Sequence, residues 1–351
     1  MRLISSRRMA FAVAVLAAAC SEPESVTPPV EGPAALSAAH SAGAVAPFYG
    51  IGSIVRSRPQ SGCDDAEHRQ FDFWLGAWQV SPARSHITSR LDGCVVHERF
   101  AGPAGFGGQS LNTYDAETGE WFQYWASDFG FPLVLEGGLV GNRMIMSGDL
   151  DLGGYIWTDR ITWTPFPDGS VRQVWDRSTD HGATFPTTLF DGLYTAAPGL
   201  DPFPFQDPGA CTGGNFETMS FLVGNWTVSA ENGLALGTSE VSRSTSGCLI
   251  EERFTSAKGY ESLTWMFSYY GQFGVTEWKR VTIDNQGETL RLSGAPSGTE
   301  VVYTGSESGP GGHEFEVLML ISPLSANEVR LSVQIGAPGQ RPPFTVIYRR
   351  E

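Results

Sequence analysis

The chain has 351 residues, with 42 glycines, 10 tryptophans, 21 phenylalanines and only 17% charged residues. That profile argues against helical bundles and for turn-rich β structure, spread over two domains rather than one. A formal charge of −15 sets the surface against nucleic-acid phosphates and anionic membrane faces, so no nucleic-acid partner is expected.

In chain order, residues 1–19 read as an export leader: a basic MRLISSRR, an apolar run from Met9 to Ala19, then small residues ending at Cys20. Ala17-Ala18-Ala19-Cys20 resembles the lipobox of bacterial lipoproteins, with its leucine displaced by one place to Leu16. The resemblance implies lipidation of Cys20 and a protein held on the cell envelope by that anchor, expected at the outer membrane and facing the periplasm. Ordinary cleavage after an Ala-x-Ala site, leaving Cys20 free, is the alternative. Losing the leader removes Arg2, Arg7 and Arg8 and takes the formal charge to −18. Residues 20–61 are rich in Pro, Ala, Ser and Glu, cannot bury a core, and are expected to form a disordered tether.

FDFWLGAWQV at 71–80 returns as MSFLVGNWTV at 219–228. With Trp78 laid over Trp226, a cysteine stands fifteen residues earlier in each copy, Cys63 and Cys211. Further on, Gly93-Cys94-Val95-Val96-His97-Glu98-Arg99-Phe100 meets Gly247-Cys248-Leu249-Ile250-Glu251-Glu252-Arg253-Phe254, and the Ser110-Leu111 pair is matched to Ser262-Leu263. The chain is therefore read as a tandem duplication, residues 62–196 and 210–351, joined by the proline-rich linker 197–209. Four cysteines allow three connectivities. The repeat favours Cys63–Cys94 and Cys211–Cys248, because only pairing within a copy gives each half the same staple. A zinc site on Cys94-x-x-His97 fails in the second copy, where Glu251 replaces the histidine.

Within the first copy, short alternating segments end in turn residues. Glu120–Ser127 places Trp121, Gln123 and Trp125 on one face. Tyr155–Trp163 does so with Tyr155, Trp157, Asp159, Ile161 and Trp163, and Ser170–Arg177 with Val171, Gln173, Trp175 and Arg177. No amphipathic helix separates them, so each copy is expected to be an antiparallel meander that closes into a barrel and thereby loses its edges.

The Gly-x-Trp of Phe71-x-Phe-Trp-Leu-Gly76-x-Trp78 resembles the opening strand of calycins, the lipocalin-like and nitrobindin-like barrels. FDFWLGAW, GCVVHERF, GGQSLNTYD, ITWTPFPDGSVRQVW and STDHGATF…FDGLY together are similar to an uncharacterised family of bacterial secreted or lipoprotein domains. The resemblance implies an all-β fold of two tandem antiparallel calycin-like β-barrels, and points to no particular activity. Nitrobindin-like barrels hold haem on a histidine near the last strand; Thr187–Tyr194 and Phe344–Arg350 contain none, so no cofactor is expected. Lipocalins stack a late arginine on the opening tryptophan. Copy two offers Arg349 or Arg350, and copy one has no arginine after Arg177.

Ser178-x-Asp180-x-Gly182-x-Thr184-Phe185 has the form of an Asp-box hairpin and is read as a turn. Ser110 lacks the second glycine and the helix of a nucleophile elbow and is read as a strand serine, and Gly102–Gly108 as a loop. Glu98 and Glu252 occupy matching places. If Cys94 faces the packed side, Val96, Glu98 and Phe100 follow it and His97 and Arg99 face away. An inward glutamate needs an arginine or tyrosine partner, with Arg160 and Arg172 the arginine candidates; it either forms a structural ion pair or orients a ligand or proton transfer. Copy one holds seven of the tryptophans, which either fill its core or line a cup. The functional expectation is a first barrel that binds a small apolar or aromatic molecule, with Trp78, Trp125, Trp157, Trp163 and Trp175 as walls and Glu98 as polar anchor. The alternatives are a barrel-mouth hydrolase or isomerase using Glu98 with Asp176 or His97, and an envelope scaffold or glycan-binding module.

Overall fold

In a computed structural model the described residues are 62–103, 106–151, 154–200, 211–268, 277–309, 313–336 and 343–351. The leader, Cys20 and the tether lie outside them, as does the linker beyond residue 200.

The described chain is all-β. The first ten strands are β1 (Gly76–Val80), β2 (Ala83–Arg90), β3 (Val95–Ala101), β4 (Gly107–Asp115), β5 (Glu120–Ser127), β6 (Pro132–Val140), β7 (Arg143–Asp151), β8 (Ile156–Pro165), β9 (Val171–Ser178) and β10 (Thr187–Ala196). The second ten are β11 (Gly224–Ala230), β12 (Ala235–Ser244), β13 (Leu249–Ser256), β14 (Glu261–Ser268), β15 (Trp278–Asp284), β16 (Thr289–Ser297), β17 (Glu300–Gly309), β18 (His313–Ser325), β19 (Glu328–Ile335) and β20 (Phe344–Arg350). Each set is an up-and-down antiparallel meander in which every strand pairs with the next, and the last pairs with the first. The result is two closed barrels without edge strands.

Each barrel starts from a 3-10 turn, Asp72–Trp74 or Ser220–Leu222, whose apolar side chains plug one end. The indole of Trp78 donates to the Trp74 carbonyl at 2.9 Å and that of Trp226 to the Leu222 carbonyl at 2.7 Å, so turn and first strand are fixed together. The glycine of Gly-x-Trp has φ +143° in one barrel and +145° in the other. A Cβ on Gly224 would lie 2.2 Å from the Arg350 guanidinium. Arg350, not Arg349, is the late arginine of copy two: its guanidinium carbon sits 4.3 Å over the Trp226 ring and it donates to the Val223 and Ala326 carbonyls. In copy one Ala196 takes the place opposite Trp78, and the backbone closes the seam through Ala197 N–H to the Ala77 carbonyl.

The disulfides are Cys63–Cys94 and Cys211–Cys248, one within each half. Each cysteine pair anchors a turn with consecutive positive φ angles at non-glycine residues, Leu91-Asp92 and Thr245-Ser246. Such backbone persists only where its surroundings hold it. Arg69 does so in copy one, donating to the Cys63 and Gly93 carbonyls. The Asp-box segment is a turn, with Asp180 accepting from Ser178 Oγ, Thr184 N and Thr184 Oγ1 while Gly182 has φ +80°.

The two barrels share an apolar interface. The outward faces of β3–β5 and β13–β15 bury Val95, Leu111, Phe122, Tyr124 and Ala126 against Leu249, Leu263, Trp265, Phe267, Val281 and Ile283. Around this core Arg291 pairs with Asp115 and Tyr124, Arg90 with Glu251, and Gln109 donates to Thr245. His97 faces this interface edge-on to Trp265, and burial followed by the Arg90 charge pushes it down to about 4, so it is neutral there.

Because Trp265 is fully buried between the barrels, Trp265→Ala is expected to cost about 3–5 kcal/mol. Scanning calorimetry should show the barrels unfolding in one transition in the parent chain and in two in the variant; two transitions in the parent would mean the interface does not couple them.

Candidate functional site

Alternation sends Val96, Glu98 and Phe100 of β3 into the first barrel. The register Ile87↔Glu98 and Glu98↔Ser110 sets that carboxyl among hydroxyls from neighbouring strands. Ser85 Oγ donates to Glu98 Oε1 at 2.7 Å, Ser110 Oγ to Oε2 at 3.3 Å, and the Tyr194 hydroxyl lies 3.3 Å from Oε1 and 2.6 Å from Gln173 Oε1. Asn112 donates to Ser110 Oγ, and Gln123 donates to Asn112. Among the described residues no cation pairs with Glu98. Arg160 pairs with Asp176 and Arg172 with Asp191, so the arginine partners expected from sequence are engaged elsewhere, and tyrosine takes the role. Burial pushes the Glu98 carboxyl up to about 7, opposed by its hydroxyl partners.

Above this carboxyl lies a cavity of about 80 Å³ lined by Glu98, Gln123, Trp125, Gln173, Trp175 and Phe190, among others. Trp125 can lie where it does because Gly108 has no side chain: a Cβ there would sit 2.4 Å from the indole. Of the residues singled out from sequence, Glu98, Trp125 and Trp175 meet at this cavity. Trp78 and Trp163 are core residues of the plugged end, Trp163 packed on Phe71 and Trp74. Trp157 lies toward the other end of the barrel, under the Arg177 guanidinium at 4.0 Å, with Arg177 held bidentately by Asp159. Asp176 and His97 do not share the Glu98 cavity. Asp176 is bound by Arg160 and Thr188, and His97 faces the other barrel.

The second barrel repeats the carboxyl site. Ser239 Oγ and the Tyr348 hydroxyl donate to Glu252 Oε1 at 2.8 and 2.9 Å. The shift that carries Glu98 onto Glu252 carries Ser85 onto Ser239 and Tyr194 onto Tyr348. A register counted from the tryptophans misses both partners. Matching Ser110 to Ser262 misaligns β14: Glu252 faces Thr264, so Thr264 and not Ser262 stands where Ser110 does. Here the carboxyl does meet a cation, with Arg280 Nη2 3.5 Å from Glu252 Oε2. A cavity of about 470 Å³ runs from this carboxyl through the interior to the mouth, where Asp115, Glu117 and Thr118 of the first half also line it. Where barrel one has Gln123, Trp125, Gln173 and Trp175, barrel two has Arg280, Thr282, Leu331 and Val333 by strand register. Loss of the indoles opens the space.

Fold and site define a class: a tandem pair of ten-stranded antiparallel barrels, each with an inward glutamate tied by serine and tyrosine to the strands that flank the seam. No family model matches the chain, and no curated protein matches it. Among solved structures, a protein of unknown function of the DUF3598 family from Nostoc punctiforme is similar over 82% of this chain and 100% of that one, at 9% identity and a TM-score of 0.18. A likeness at that level carries no argument about fold or function.

The raised carboxyl sets a pH dependence. A folded-state value near 7 against an ordinary 4.5 means that the folded chain holds this proton more tightly, so stability falls as pH rises from about 4.5 to 7 and is flat above. Asp284, raised by burial to about 6, adds a slope of the same sign. Glu98→Gln should remove only the first part, about 3 kcal/mol between pH 4.5 and 8. Urea denaturation across that range checks it, and parallel curves for the two proteins would show that Glu98 titrates normally.

Proposed function

We propose that this is an exported protein of calycin character, lipid-anchored at Cys20 on the cell envelope, whose first barrel binds a small apolar or aromatic molecule. The Gly-x-Trp strands and the stacking of Arg350 on Trp226 support the calycin reading. One observation carries the binding reading: Glu98, Gln123 and Gln173 converge with Trp125 and Trp175 on one cavity. Flat indole faces take an apolar ring, and the few polar groups fix its orientation. Its size suits a compact group rather than a long chain. The apolar mouth residues Phe106, Phe129 and Leu189 are exposed and offer an apolar approach, Phe106 and Phe129 being stacked on each other.

A second reading is favoured by one specific feature. A buried carboxyl with no counter-charge and a proton affinity near neutrality is suited to accept a proton from a bound substrate, as a hydrolase or isomerase requires. Glu98 would then act with Tyr194, since Asp176 and His97 lie outside the cavity.

Titration with a panel of single-ring aromatic compounds, followed by tryptophan fluorescence, tests the proposal. Binding should weaken at least tenfold in Trp125→Ala and Trp175→Ala and only a few-fold in Glu98→Gln. Equal binding by all variants would remove this cavity as the site, and turnover by the parent chain that disappears in folded Glu98→Gln would favour the enzyme. For the anchor, Cys20→Ser should move the protein from the membrane fraction to the soluble fraction of the cell; unchanged fractionation would exclude lipidation as the tether.

A further inference from the structure

The second barrel contains a cation whose donors are poorly used. Arg280, on β15, is 6% exposed and lines the large cavity. Among the described residues its Nε–H has no partner, its Nη1 faces only the thioether of Met266 at 3.1 Å, and its Nη2 lies at the outer limit of hydrogen bonding from Glu252. Glu252 already accepts from Ser239 and Tyr348 at shorter distances. The Tyr303 hydroxyl, buried and without a partner among the described residues, lies within the field of the same guanidinium. Buried guanidinium groups ordinarily satisfy their fork of donors, and leaving one this open is costly.

One wall of the chamber is apolar: Phe254, Val317, Met319, Leu331, Val333 and Val346 lie along a cavity of about 470 Å³, a volume in the range of chambers that enclose small molecules. Its mouth is charged and partly made by the other half of the chain: Glu117 and Thr118 of the turn between β4 and β5 lie there with Asp284, Glu288 and Arg291. Open guanidinium donors in the interior and an apolar wall beside them suit a ligand with one anionic group and an uncharged tail.

We propose that the second barrel is a binding site for an aliphatic monocarboxylate, with the carboxylate on Arg280 and the acyl chain along the apolar wall. The site is separate from the first barrel's cavity and differs from it in chemistry. There the polar anchor is a carboxyl without a cation, which repels an anion; here Gln123 has been exchanged for arginine.

Isothermal titration of the delipidated chain with dodecanoate and with dodecan-1-ol tests this. The acid should bind at least tenfold more tightly than the alcohol. Arg280→Met should abolish that preference while leaving alcohol binding within a few-fold, and Glu252→Gln, which removes the internal competitor for Arg280, should tighten acid binding. Val333→Trp, which places an indole where barrel one has Trp175, should weaken both ligands. Circular dichroism establishes that each variant is folded; if Arg280→Met does not fold, Glu252→Gln and Val333→Trp decide the matter. Equal affinity for acid and alcohol in the parent chain, or acid binding unaffected by Val333→Trp, would overturn the proposal. Loss of aromatic binding to the first barrel would leave it untouched.

Discussion

A β-sheet that closes on itself has no free edge, and in this chain closure is secured at one place in each half. The opening strand must leave a plugging turn, pass its tryptophan into the interior and pair with the final strand. Glycine two residues before the tryptophan makes the extreme backbone angle possible, and the indole N–H bonded to the carbonyl four residues back locks plug to strand. Every interior position then follows from strand parity counted from that seam. The two halves differ in what completes it. Barrel two uses Arg350 over Trp226, while barrel one has Ala196 at the same register; the edge contact of the tryptophan with a tyrosine, Trp78–Tyr194 and Trp226–Tyr348, is common to both.

On that common frame, a handful of substitutions decides what the interior is. Two indoles and two amides fill the upper half of barrel one and leave about 80 Å³. Threonine, valine, leucine and arginine at the matching positions leave about 470 Å³. The glutamate, serine and tyrosine are present in both, so one polar scaffold carries chambers of different volume. Charge follows the same exchange. With glutamine nearby, Glu98 gains most by holding a proton; with Arg280 nearby, Glu252 has a counter-charge. The same carboxyl position thus stands in two different electrostatic surroundings.

Much of the fold was legible in the sequence because repeat and parity are strong signals. The doubled Gly-x-Trp and Gly-Cys phrases gave two barrels and both disulfides, and alternation in Glu120–Ser127 and Tyr155–Trp163 gave the inward faces correctly. Less of the site was legible. Tryptophan count drew attention to barrel one, yet Trp78 and Trp163 serve the plug, and a large side chain diminishes the very cavity it lines. The hollow in barrel two is marked by absent bulk, which leaves no motif. Arg280 stands in an ordinary-looking WKRV segment, and Ser85 becomes a partner of Glu98 through the β2–β3 pairing and Tyr194 through closure of the barrel, which needs a register counted from the glutamates rather than the tryptophans.

The interface between barrels explains why some strands carry no clean alternation. β4 is buried through Gly107–Thr113, one face toward its own interior and the other toward the second barrel. Neighbouring residues on β3 therefore occupy different environments: Glu98 is held by hydroxyls in the first chamber, while His97 sits against Trp265 in the shared core. On β13 the same neighbours are Glu252, facing Arg280 inside, and Glu251, bridging to Arg90 and Trp265 outside. A shift of one residue in either strand would exchange these surroundings and strand an ionisable group in apolar packing, an error costing several kcal/mol. The outward face thus fixes the register that places the inward carboxyl, and joining the barrels is part of how each one positions its own site.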